Sequence, residues 1–235
     1  MFTQRLSLTN QDARKVSATQ LHVLGSIAET VDGRVYRYSK VGASNIALGK
    51  LNVNADLDSN VVNKAVSAAS DAGSYNVNFT AGGAVTADAY RDGFLTVNDA
   101  TSEGIAYAVK GNTAGTALTV ELKEPVVAGL VASTSEVTLK KNTFDSVVIS
   151  ATDQADQVTG VSNVAATAAY FGWLQTRGEC AVLADEAVTK GLALTIGTGV
   201  AGAVEALDAA GEQQIGFASE ALVDTEYRSA FLTID

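Results

Sequence analysis

Apolar and polar positions alternate most regularly between Tyr75 and Leu122. Tyr75, Val77 and Phe79 are separated by Asn76, Asn78 and Thr80, the pattern of a strand with one buried face. Phe94-Leu95-Thr96-Val97 and Ile105-Ala106-Tyr107-Ala108-Val109 flank Asn98, Asp99 and Gly104, which predicts a hairpin. Gly111 to Gly115 turns the chain again into Ala117–Leu122, so three consecutive antiparallel strands are expected. Pro125 closes this run, because its ring nitrogen cannot donate to a central ladder. Val137-Thr138-Leu139 and Val147-Val148-Ile149 add two short strands around Asn142.

Outside that stretch the elements are shorter. Asp32-Gly33 is a turn dipeptide leading into Val35–Tyr38, and Leu48–Leu51 continues after a break at Gly42. Residues 60–72 read as a short helix or as a loop with two apolar pins. The texture changes near 151–165, where Thr, Asp, Gln, Ser and Ala replace the strand pattern, giving a linker or helix. Beyond it, Tyr170-Phe171-Gly172-Trp173-Leu174 is the densest aromatic cluster, and glycines at 178, 191, 197, 199, 202, 211 and 216 cut the remainder into strand-sized pieces. Residues 1–20 are polar and lack periodicity; they form either a helix from Asn10 to about Leu24 or an arm that orders against a neighbour. The expected fold is mainly β, with two β-rich lobes of sandwich or small-barrel type, short helices and an N-terminal arm. The expected division is 1–20 (arm), 21–155 (β-rich domain) and 156–235 (small barrel or sandwich).

Composition narrows the function. The chain has 235 residues, 47% hydrophobic and 18% charged, enough apolar mass for a core. Acids outnumber bases 26 to 16, a net charge of −10, which argues against binding a phosphate backbone. No run of about 18 apolar residues predicts a membrane helix. Met1-Phe2-Thr3-Gln4-Arg5 lacks the apolar core of a signal peptide, so synthesis in the cytoplasm is expected. One cysteine, Cys180, and one histidine, His22, exclude an internal disulfide and multi-cysteine metal sites.

The motifs with chemical potential are few. Gly197-Thr198-Gly199-Val200-Ala201-Gly202 follows the strand-like Leu192–Ile196 and matches a dinucleotide-binding fingerprint. The residues after Gly202 are too few to complete the α/β sheet that motif requires, so a hairpin turn is expected; a nucleotide-binding enzyme is the remaining alternative. Asp56-Leu57-Asp58-Ser59-Asn60 opens like a calcium loop, but Val61 and Ser67 stand where that loop needs Gly and Glu. Cys180 sits beside Glu179, which disfavours a thiolate, and is read as structural rather than as a nucleophile paired with His22. No catalytic residue, cofactor or metal ligand is assigned.

Asp32-Gly33-Arg34-Val35-Tyr36-Arg37-Tyr38, Gly49-Lys50-Leu51, Tyr90–Val97 and Tyr170–Gly178 resemble segments of tailed-bacteriophage capsid decoration proteins, the head-stabilising or cement type. The closing pattern is similar too: Ala187–Gly191, Gly202-Ala203-Val204, Ile215-Gly216-Phe217-Ala218 and Phe231-Leu232-Thr233-Ile234. The resemblance spans roughly 28–235 and consists of turn and core signatures. It implies a virion structural protein on the capsid exterior, bound to the major capsid protein and to itself as a homotrimer, with no enzymatic activity, nucleic acid or membrane partner. Another virion part, such as a tail, spike or fibre-base protein, is the alternative. Interface candidates are the apolar Phe2, Leu6 and Leu8 with Arg5 in the N-terminal segment, and Trp173, expected buried in a core or at a subunit joint.

Overall fold

In the computed structural model, which describes residues 5–235, the protein is mainly β, as the alternation predicts. The first strands are β1 (Leu6–Leu8), β2 (Ile27–Thr30), β3 (Val35–Lys40) and β4 (Leu51–Val53). A second group follows: β5 (Lys64–Ala68), β6 (Asn76–Val85), β7 (Phe94–Asp99), β8 (Ala106–Asn112), β9 (Gly115–Leu122) and β10 (Glu136–Lys140). The chain ends with β11 (Val148–Ile149), β12 (Val158–Ser162), β13 (Phe171–Leu183), β14 (Ala193–Ile196), β15 (Val204–Ala206), β16 (Gly216–Ala218) and β17 (Tyr227–Thr233).

The chain divides into two compact units. Residues 56–142 form one of them, a closed barrel in the order β10-β5-β6-β9-β8-β7. The expected β7-β8-β9 meander is its backbone, and β6 returns to pair with β9 from Asn76↔Glu121 to Thr80↔Ala117. Period-2 burial explains the closure: Val77, Phe79, Leu95, Val97, Tyr107, Val109, Leu118, Val120, Val137 and Leu139 all point inward and form one core. Segment 60–72, read as helix or loop, is a single 3-10 turn (Ser59–Val61) followed by β5, because Lys64, Val66 and Ala68 alternate with a register break beside β6.

The other unit comprises residues 1–55 and 143–235 and holds an eleven-stranded sheet. Its main path runs β1-β2-β3-β13-β17-β16-β14-β15, and β4 with β11 and β12 branches from β13. β13 is the spine: its thirteen residues pair with β3 on one side and β17 on the other. The sheet curls at its far end, where Ala184, just past β13, bridges Val204 of β15. β12 is buried along its whole length, and Gly160 (φ +146°) lets it approach β13, since a Cβ there would lie 2.8 Å from the Gln175 carbonyl.

The domain division therefore differs from 1–20, 21–155 and 156–235. The barrel is an insertion, and the residues flanking it belong to one sheet: Val53 of β4 pairs with Val148 of β11. From Arg5 onward the N-terminal segment is part of this unit. β1 lies parallel to β2 (Leu6↔Ala28, Leu8↔Thr30), and Ala13 is 1% exposed in the same cluster as Tyr38 and Trp173. The helix expected from Asn10 to about Leu24 is only the 3-10 turn Asp12–Arg14. Thr9 and Asp12 satisfy each other's polar groups there (Oγ1–Oδ2 2.6 Å, Asp12 N–Oγ1 3.1 Å), and the chain then leaves extended at Lys15.

Candidate interaction site

The structure brings Leu6, Leu8 and Trp173 into one cluster and sets Arg5 beside it; Phe2 lies outside the described residues. β1 presents Leu6 and Leu8 toward the β2–β3 end of the sheet, while β13 presents Trp173, which is 5% exposed and paired in register with Tyr38 of β3. The rings make a compact set. Tyr38 and Trp173 lie 5.0 Å apart edge to face, and Tyr38 and Phe171 stack at 6.1 Å. His22 packs on both Tyr38 (5.1 Å) and Trp173 (5.4 Å). The Tyr38 hydroxyl accepts from the Leu21 amide at 3.0 Å, and burial raises its pKa above the ordinary tyrosine value.

Over this cluster are two open depressions. One, about 580 Å³, is lined by Leu6, Leu8, Val16, Phe171 and Trp173 among others; the other, about 740 Å³, by Arg5, Val23, Ile27 and Arg37 among others. Leu6, Leu21 and His22 line both. Leu21 (67%) and Val23 (54%) are exposed large apolar side chains at this place. Sequence reasoning missed His22, Tyr38, Phe171 and Leu21 because they converge only through the β3–β13 pairing across some 130 residues. The one cue in the chain was apolar Leu21 and Val23 flanking the single histidine.

Cationic groups rim the groove, each with a local acid: Arg5 with Glu29 (2.9 Å), Lys15 with Asp12 (2.7 Å) and Arg37 with Asp235 (2.7 Å). The Lys15 ammonium and the Thr9 hydroxyl hold the Asp12 carboxyl at about 2. Burial opposes ionisation of Asp235, but Arg37 and the Thr176 hydroxyl outweigh it and keep its pKa below the ordinary value.

The other motifs resolve into framework. Gly197–Gly202 is the hairpin turn between β14 and β15 (Ile196↔Val204), as expected. The Gly199 amide, the group that would face a phosphate, donates to Asp185 at 2.6 Å. Beta carbons at Gly197 and Gly199 would meet that carboxylate at 2.8 and 2.9 Å, so the glycines make room for it. Asp58 caps the 3-10 turn, accepting from the Asn60 amide (2.9 Å) and the Tyr90 hydroxyl (3.1 Å). Cys180 is 6% exposed, its thiol pushed up to about 12 by burial, and it belongs to a different core cluster from His22's aromatic partners. Among the described residues no group of three or more His, Cys, Asp or Glu is placed to hold a metal ion, and no helix is long and apolar enough to cross a membrane.

Compared with protein-family models, curated proteins and solved structures, the chain matches none of them.

Proposed function

We propose that this protein is a virion structural component that binds the outer surface of an assembled tailed-phage capsid and stabilises it. It is made in the host cytoplasm and joins the major capsid protein and copies of itself, as a homotrimer, on the shell. The observation that carries the reading is where the resembling segments fall. Asp32-Gly33 turns β2 into β3; Phe94–Val97 lies in β7; Phe171–Gly178 forms most of the sheet's spine; Gly216–Ala218 and Phe231–Thr233 are β16 and β17. These segments belong to the framework of both units, where a shared fold would leave its mark, while Gly49-Lys50, Tyr90–Gly93 and Ala187–Gly191 fall in connecting turns.

The surface is consistent with a module that works by contact. An open apolar groove rimmed by ion pairs adds buried area when covered, about 25 cal/mol per Å² of apolar surface before the cost of association is deducted. A net charge of −10 keeps free copies apart in solution. The test is electron microscopy and calorimetry of purified capsids with and without added protein. Added density on the capsid exterior and a raised shell melting temperature are expected. Density on the tail would replace this reading with a tail or spike component, and no binding to any particle would overturn it.

A further inference from the structure

The sheet unit holds a smaller pocket of about 390 Å³ that shares no lining residue with the two depressions over Trp173. That volume lies at the low end of the roughly 300–1,000 Å³ common for small-molecule sites, the size of a single-ring compound. Its floor is polar and fixed. Gln175 of β13 is fully buried; its Nε2 donates to the Arg177 and Glu179 carbonyls at 3.1 and 2.8 Å, and its Oε1 accepts from Asn163 Nδ2 at 2.9 Å. The last bond orients the Asn163 carboxamide, so that its Oδ1 meets the Cys180 thiol at 3.5 Å. A thiol is a weak donor, and this oxygen keeps accepting capacity on the pocket floor.

The walls are in place before any ligand arrives. The Tyr227 ring stands against the Gly49 backbone, where a Cβ would lie 2.6 Å from Cε1. Gly49 is itself held from both sides: its amide donates to the Ser162 carbonyl at 2.7 Å, and its carbonyl accepts from the Leu183 amide at 3.2 Å. Leu48, next in the wall, is 59% exposed.

Three charged side chains line the pocket, and two of them are engaged. Asp32 and Asn10 hold the Arg34 guanidinium at 2.7 and 2.8 Å, and Glu179 accepts from the Ser219 hydroxyl at 2.8 Å. Arg14 differs. It sits on the 3-10 turn anchored by buried Ala13, and its side chain makes no ion pair or hydrogen bond with any described residue. It is the open cation of this pocket, whereas Arg5, Lys15 and Arg37 around the aromatic groove each have an acid already.

We propose that this pocket binds a small aromatic monocarboxylate carrying a hydrogen-bond donor at the end away from its carboxylate. Arg14 takes the carboxylate in a charge-assisted pair, the ring lies against Tyr227 and Leu48, and the donor meets Asn163 Oδ1. Glu179 sets the charge: Arg14 matches one negative group, and the acid repels a dianion. The inference stands apart from the capsid reading, because free protein tests it.

The experiment titrates the full-length protein with 4-hydroxybenzoate by calorimetry, with 4-hydroxybenzamide and inorganic phosphate as comparisons. Saturable binding with a Kd below about 1 mM is expected for the carboxylate, and binding at least about tenfold weaker for both comparisons. Amide shifts in a nuclear magnetic resonance titration should cluster at Gly49, Asn163 and Ala181. Arg14→Ala should weaken binding about tenfold and Leu48→Ser about threefold, with unchanged circular dichroism, since both side chains are exposed. No saturable binding, equal binding of the amide or of phosphate, shifts confined to the groove at Leu21 and His22, or an Arg14→Ala variant that binds like wild type would each overturn the proposal.

Discussion

Trp173 packs against both Tyr38 and His22 with 5% of its surface exposed, so its indole is core to the N-terminal cluster. Trp173→Ala should cost about 3–5 kcal/mol, a fall in Tm of roughly 10 °C for a chain of this size, read by thermal melting. Trp173→Phe should cost much less, because it keeps a ring against Tyr38; equal losses would mean that the cavity is not what destabilises. At the rim, the Arg37–Asp235 pair gives a pH signature. The folded Asp235 carboxyl sits below the ordinary 3.8, so its stabilisation is complete above that value and drains away as pH falls through the lower folded one. Asp235→Asn should therefore lose about 1 kcal/mol at pH 7, discounted for partial exposure, and the gap from wild type should narrow in acid melts. Cys180 makes a third residue-level case. With the thiol buried and raised to about 12, iodoacetamide at pH 8 should leave the native protein unmodified and label it after unfolding.

At the scale of elements, the hairpin β14–β15 shows how a motif misleads when read apart from its surroundings. Its glycines serve packing: Gly202 has φ +73°, and a Cβ there would meet Ile149 Cγ2 at 2.6 Å and Lys50 Cδ at 2.7 Å. Gly211 has φ +97° but nothing within 4 Å. Gly202→Ala should then cost about 2–4 kcal/mol, combining left-handed strain with overpacking, and Gly211→Ala only about 1–2 kcal/mol. Denaturant melts of the two variants separate the contributions; equal costs would show that crowding at Gly202 relaxes freely. The alternation that predicted β6 to β9 was legible because each of those strands has one buried face and neighbours close in sequence. β5 was not, because its register with β6 breaks between Val66 and Ala68 and only Val66 is fully buried. β12 was hidden for the opposite reason: Val158, Thr159, Gly160, Val161 and Ser162 are all buried, so no alternation exists to be read. At the candidate site, Leu6 and Leu8 stood out as apolar residues in a polar segment, and Trp173 as part of the densest aromatic cluster. Their convergence with Tyr38 and Phe171 depends on pairing between distant strands, which no local pattern encodes.

At the scale of the whole molecule, two cores are built with no residue in common. Every member of the barrel core lies between Val61 and Leu139, and the clusters of the sheet unit draw only on residues outside 56–142. The chain hides this from a linear reading, since the barrel interrupts the sheet without a Pro- or Ser-rich linker, and the texture change at 151–165 falls inside the sheet unit instead. The insertion point predicts separability. β4 and β11 are antiparallel neighbours, Val53 opposite Val148 and Asn52 opposite Ile149, so the ends left by removing the barrel are already held close by the sheet. Joining Ala55 to Thr143 through a short Gly-Ser bridge closes a loop at little entropic cost. The shortened chain should remain folded with a β-type circular dichroism spectrum and a cooperative melt. Residues 56–142 expressed alone exceed the size at which a single core suffices, and should melt cooperatively on their own. The intact protein should then show a heat-capacity profile that needs two transitions rather than one. If the barrel-deleted chain precipitates or loses its near-ultraviolet signal from Trp173, the sheet unit depends on the barrel for its fold, and the two cores act as one cooperative unit.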